Sequence, residues 1–289
     1  MPDSSPRLRV SASPRLRVSV SPRLRVSVSP RLRVSVSPRL NLRCLLSGAA
    51  LLLTVCPGPA IAAQPAATKR VVVVTGEDGP YHNWRATAPV LKTLLAKDPR
   101  LEVTLVEDLK FLANPVLRKC DAVVLHFKNF DAKVPGPAAQ RNLDEYVRGG
   151  GGLVLVHFAC GAFQEWPEFV QIAGRVWNPK FRPHDPHGKF RVEITDQKHP
   201  ITRGMTPFET TDELYTCLDG AVPIHVLATA VSKVDKKTYP MAFVLEPGKG
   251  RTFHCVLGHD VGAYAAAGVG ELFRRGTAWA ARLDPAAAQ

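Results

Sequence analysis

Three apolar runs of this 289-residue chain lead into histidines. Val71–Val74 precedes the loop that holds His82, Leu153–Val156 runs straight into His157, and Phe253–Leu257 is followed by Gly258, His259 and Asp260. Imidazole titrates near neutral pH and ligates metals as the neutral ring, so each of these side chains is a candidate general base or metal ligand. The plainer alternative at each position is a ring hydrogen-bonded to backbone. In an open α/β sheet the carboxyl ends of the strands share one edge, where residues remote in sequence meet. An active or binding site is expected at that edge.

Other groups could complete such a site. His184 and His187 stand three apart in a segment that Pro183 and Pro186 keep from being helical. They fit part of a metal site and equally fit solvated loop histidines, because zinc patterns need further ligands at defined spacings. Asp212 and Glu213 offer carboxylates that could orient an imidazole, ligate a metal or take a proton, or could form a surface ion pair. Tyr81 and Trp84 flank His82 and could stack on a sugar ring, although Trp84 also fits the buried face of a helix. The glycines after Val74 do not spell G-x-G-x-x-G, so no nucleotide cofactor is expected. Cys160 follows the His157 strand and opens a cysteine–histidine amidase reading, which needs a thiolate bonded to an imidazole.

The elements that must position these groups read as an alternation. Strands are expected at Arg70–Thr75, Glu102–Val106, Ala122–His126, Gly152–His157, Phe190–Thr195, Ile224–Ala228, Met241–Leu245 and Arg251–Leu257. Helices are expected at Trp84–Lys97, Pro137–Arg148, Trp166–Gly174 and Gly270–Arg282, the first capped by Asn83. Near-continuous Val/Leu runs fit strands buried on both faces, as in a parallel sheet covered by helices. The expected fold is a three-layer α/β/α arrangement, mostly parallel, of flavodoxin-like type. The proline-rich stretch from Phe190 to Leu245 forms an antiparallel extension before the last parallel strand.

The net charge of +13 misleads, because residues 1–43 hold ten arginines against one acid and account for +9 of it. The body is only mildly basic, which argues against nucleic acid as a partner. Those arginines lie in an eight-residue Ser-Pro-Arg-Leu-Arg-Val-Ser-Val repeat, whose regular prolines block a continuous helix and mark residues 1–43 as a disordered tail. Arg43, the apolar stretch Cys44–Cys56 and Ala60-Ile61-Ala62-Ala63 then match a secretory signal peptide, with cleavage after Ala62 or Ala63. The apolar stretch falls short of the roughly twenty residues that span a bilayer. So long a preamble points to a translation start nearer Arg39. Export is expected, to the periplasm or the exterior, with no stable membrane insertion of the mature chain. The four cysteines beyond the leader are too few to staple a domain of this size.

Four segments carry a family resemblance: Gly149–His157, His199-Pro200-Ile201-Thr202-Arg203-Gly204, Asp212-Glu213-Leu214-Tyr215, and Gly248–Phe253 with Leu257-Gly258-His259. In this order they resemble the trehalose-utilisation (ThuA-like) family over about residues 69–283. The resemblance implies a fold similar to class I glutamine amidotransferases and a role in the catabolism of trehalose or 3-keto-disaccharides. In that fold the nucleophilic cysteine sits in a strand-to-helix elbow, and strand register puts His157 there. Cys160 lacks the elbow glycine two places earlier, and His259-Asp260 replaces the expected histidine-x-glutamate, so glutaminase chemistry is disfavoured.

Together these readings make His157, Glu213 and His259 the expected catalytic groups. Tyr81, His82, Trp84 and Asp212 are expected to bind substrate. His157, His184, His187 and His259 are expected to hold a divalent metal such as zinc, for proton transfer on a keto-sugar. A small-molecule carbohydrate is the expected partner, with a homo-oligomer left open, and a non-catalytic sugar-binding module is the alternative.

Overall fold

The computed structural model describes residues 68–285; the arginine repeat and the leader expected in residues 1–63 lie outside them. Strands β1 (Lys69–Val74), β2 (Leu101–Val106), β3 (Ala122–Leu125), β4 (Gly152–Val156), β5 (Gly188–Ile194), β6 (Phe208–Asp212), β7 (His225–Val231), β8 (Thr238–Leu245) and β9 (Arg251–Cys255) form one sheet in the order β2-β1-β3-β4-β9-β8-β7-β5-β6. The first five in that order pair in parallel, and the rest antiparallel. The α/β class, the parallel core and the antiparallel extension all follow the sequence expectation.

Strand side chains alternate between two buried faces. Val71, Val73, Val124, Val154 and Val156 pack toward helices α1 (Trp84–Leu95) and α4 (Ala267–Ala280), through Leu91, Leu95, Leu272 and Phe273. Val72, Val74, Val123, Leu125, Leu153 and Leu155 pack on the other face against α2 (Pro137–Gly149), through Leu143 and Val147. Both faces are dry, which is why these strands read as unbroken apolar runs. Asn83 caps α1 as expected, its Oδ1 accepting the Ala86 amide at 3.2 Å.

Three elements differ from expectation. Strand β6 was not expected, because its inward positions are Thr210 and Asp212 and hydrophobic alternation could not reveal it. The helix expected over Trp166–Gly174 is only a 3-10 turn at Pro167–Phe169 and the single-turn α3 (Val170–Ala173), ended by Gly174 at φ 78°. Helix α4 starts three residues early, and its glycines allow close approach: a Cβ on Gly276 would overlap the Phe253 ring of β9, and one on Gly268 the Phe208 ring of β6. Cys120 and Cys217 are half-buried, Cys160 and Cys255 are buried, and all four described cysteines are free.

The extension does not run away from the core. The end of β6 returns to the end of β9, where the buried carboxylate of Asp212 accepts three backbone amides. Oδ2 accepts from Gly258 at 2.7 Å, and Oδ1 accepts from Glu213 at 2.8 Å and His259 at 3.1 Å. Asp212 therefore supports the loops and is not free to bind substrate, contrary to the sequence expectation. Its carboxyl is pushed up by burial, against the pull of His157 and the three amides.

Two stability predictions follow from this packing. Gly276→Ala should destabilise the protein by about 1–3 kcal/mol through overpacking against Phe253, read as a lower urea midpoint at unchanged m. Asp212→Ala should cost about 1–3 kcal/mol by leaving buried amides unpaired, and Asp212→Asn, which keeps one carbonyl acceptor, should cost less in the same assay.

Candidate active site

His157 is the first residue past β4 and takes φ 47°, a left-handed conformation rare for a residue with a Cβ. The chain turns there into a 3-10 turn, His157–Gly161, which swings the imidazole to the carboxyl edge of the sheet. Its Nδ1–H donates to the Val256 carbonyl at 2.8 Å, just beyond the neighbouring strand β9. That bond leaves the Nε2 lone pair facing the site.

His259 reaches the same point from β9. Gly258 carries φ 107°, and a Cβ there would lie 2.7 Å from the Tyr264 hydroxyl, so glycine is required both for the turn and for the space. Glu213 enters from the end of β6, set opposite His259 by Asp212. His259 Nδ1 lies 3.1 Å from Glu213 Oε2 and 3.2 Å from His157 Nε2, and Glu213 Oε2 lies 3.5 Å from His157 Nε2. His82, in the loop between β1 and α1, completes the group. Its ring stacks on Phe158 at 4.2 Å and meets His157 and His259 edge-on at 5.1 and 5.0 Å.

One ligand atom from each of His82, His157, Glu213 and His259 lies within 4.8 Å of the other three. Four ligands at 2.0–2.1 Å from a tetrahedral zinc stand about 3.3 Å apart, close to the three shortest separations here. His82 Nε2 is buried and has no hydrogen-bond partner. Burial, with His157 and His259 nearby, pushes the His82 imidazole down to about 2, so the ring is neutral and available as a donor. Burial would push the Glu213 carboxyl up, but the His157 and His259 rings beside it outweigh this and hold it well below the usual carboxylate range. Glu213 in turn raises His259. The residues present fit a divalent cation.

Of the expected metal ligands, His157 and His259 belong to this group, and His184 and His187 do not. His184 lies beside it, with Nδ1–H donating to the Asp185 carbonyl at 2.8 Å and Nε2 3.7 Å from Glu213 Oε1. His187 lies at the edge of the group, its Nε2 3.3 Å from Asp260 Oδ2 and its ring 5.5 Å from that of His259. Their places are taken by His82 and Glu213, which the sequence reading assigned to substrate binding and to catalysis. Trp84 is buried in the α1 face, its indole N–H donating to Asp78 at 2.7 Å, and presents no stacking surface. Tyr81 is 73% exposed at the mouth of the site. Cys160 is buried, burial pushes its thiol up to about 12, and no imidazole bonds to its sulfur among the described residues; it is not an activated nucleophile.

Of the group, His82 and Glu213 line a cavity of about 370 Å³, together with Lys128, Phe130, Trp177, His184 and Tyr215 among others. This lies within the usual 300–1,000 Å³ of small-molecule sites. Lys128 and Phe130 escaped the sequence reading although they follow β3 at the same sheet edge; they close no run with a histidine of obvious function. His126, at the end of β3, is buried between Thr75 and Thr87, whose hydroxyls lie 3.1 and 3.2 Å from its ring nitrogens, and it packs edge-on against Phe158. It supports the ring on which His82 rests.

Residues 70–280 match the profile of the ThuA family, described as trehalose utilisation. No curated protein matches the chain. Among solved structures, it is similar to a ThuA-like protein from Parabacteroides merdae, with 27% identity and a TM-score of 0.63 over 74% of this chain and 90% of that one. A ThuA-like protein from Bacteroides uniformis is similar at 18% identity and a TM-score of 0.60, over 78% and 98% of the two chains. A β-galactosidase from Bacillus circulans shares the fold alone, at 14% identity and a TM-score of 0.51, over 75% of this chain and 32% of that one. The profile spans most of the chain and takes in His82, His157, Glu213 and His259: the chain belongs to the ThuA, trehalose-utilisation, family.

Proposed function

We propose that this protein is an exported, metal-assisted enzyme of carbohydrate catabolism that moves a proton on an oxidised sugar, a keto-disaccharide of the trehalose type. The observation that carries the reading is the meeting of three imidazoles and a carboxylate around one point, with His82 Nε2 buried and unbonded. Simple sugar binding does not call for three converging imidazoles, whereas a metal centre does. The family's link to trehalose utilisation supplies the substrate class.

A divalent ion held by His82, His157, Glu213 and His259 supplies, when bound, a positive charge that polarises a keto or hydroxyl oxygen. The chain's own groups divide the remaining work. Phe158 holds the His82 ring, and the Val256 carbonyl fixes the His157 tautomer. Glu213, with its depressed pKa, is a poor base and serves as a ligand. His184 donates its Nδ1–H to Asp185, so its Nε2 lone pair borders the cavity and takes the proton from the sugar. One sugar ring fills the cavity, and exposed Tyr81 and Phe130 at its mouth flank the second.

Metal content, turnover and the N-terminal sequence test the proposal. Elemental analysis should find about one divalent metal per wild-type chain and little in His157→Ala, and both His157→Ala and His184→Ala should lose keto-trehalose turnover. His184→Ala alone should keep its metal while turnover falls by about 10²–10⁴-fold, the usual worth of a general base. Metal-free wild type that binds the sugar unchanged would leave the non-catalytic sugar-binding module instead. For export, N-terminal sequencing of the protein recovered outside the cytoplasm should begin at Ala63 or Gln64; an uncleaved leader would overturn that part.

A further inference from the structure

We propose that Lys128 is an anion-reading subsite of this cavity, so that a sugar carrying a carboxylate or phosphate group binds in preference to its neutral counterpart. The inference rests on reading the cavity as a sugar site and names its substrate class more narrowly.

Lys128 lies three residues past β3, between Phe127 and Asn129, both buried. Asn129 is tied down, its Oδ1 accepting the Phe163 amide at 2.6 Å. The lysine stem lies against Gly161, where a Cβ would come within 3.1 Å of its Cδ. Its ammonium stands 3.9 Å from the centre of the Trp177 ring and 5.4 Å from that of Phe130. The side chain is therefore held in place by an apolar stem contact and two aromatic faces.

No carboxylate among the described residues pairs with it. Of the side chains that line the cavity, Lys128 is the formal cation and Glu213 the carboxylate, and Glu213 is committed to His157 and His259. Burial lowers the Lys128 pKa, the expected sign for a cation short of both water and a counter-ion. The two aromatic faces offset only part of the hydration this half-buried cation has lost, and an anionic ligand would supply the counter-charge it lacks. An anionic group on the sugar meets that need while the ring reaches the imidazole cluster across the cavity. Carboxylate and phosphate offer the same charged oxygens, and binding distinguishes them.

Isothermal titration of the purified protein with D-glucose, D-glucuronate and D-glucose 6-phosphate tests the assignment. At least one anionic sugar should bind about tenfold tighter than glucose, as expected for a charge-assisted hydrogen bond. Lys128→Met should reduce it to the level of glucose, and Lys128→Arg should retain part of the preference. Preference for glucuronate marks a carboxylate and preference for the phosphate ester a phosphate. Equal affinities, absence of binding by either anion, or a preference that persists in Lys128→Met would overturn the proposal. Metal content measured on the same samples separates the two readings: a Lys128-dependent preference in protein that holds no metal would sink the metal centre and leave this subsite standing.

Discussion

The site depends on one buried carboxylate. Asp212 ends a strand of the antiparallel extension, yet its oxygens accept amides from Gly258 and His259 at the end of the parallel core. Because the adjacent amide of Glu213 is held by the same carboxylate, a single side chain sets the separation between Glu213 and His259. Three amide donors replace part of the water lost around the acid, which lets it lie buried at this junction although burial still pushes its carboxyl up. Two parts of the sheet that are far apart in strand order are thereby joined at one edge.

The imidazoles are placed by backbone rather than by long polar networks. His157 follows β4 in a left-handed conformation, His259 follows a glycine that cannot carry a side chain, and His82 rests on the Phe158 ring. Strands β4 and β9 are hydrogen-bonded neighbours, so the first two rings are adjacent by register, from Val156 paired with Cys255. Backbone strain at a strand end is commonly kept where a side chain must be aimed. The electrostatics agree with that geometry: burial keeps His82 neutral, and Glu213 is drawn toward its ionised form by the rings around it.

Much of the fold was legible in sequence, because its signals are local. The unbroken runs Val71–Val74 and Leu153–Val156 marked strands buried on both faces, and the stretch from Phe190 to Leu245 marked an antiparallel extension. Strand β6 was hidden because the residues it buries, Thr210 and Asp212, are polar, so its burial is supported by hydrogen bonds and not by hydrophobic alternation. The helix expected over Trp166–Gly174 is reduced to a 3-10 turn and one α-turn, ended where Gly174 takes a positive φ.

The chain by itself determined which strands end in histidine, that Asp212 adjoins Glu213, and that a glycine precedes His259. These follow from residue order and the conformations it permits. Only the tertiary structure decided that His82 and Glu213, rather than His184 and His187, join His157 and His259, that Trp84 is buried, and that Lys128 faces the same cavity. The reason is geometric: strand periodicity tells which face a residue occupies, whereas the meeting of loops from β1, β3, β4, β6 and β9 depends on strand order and on one long-range staple that no local pattern encodes.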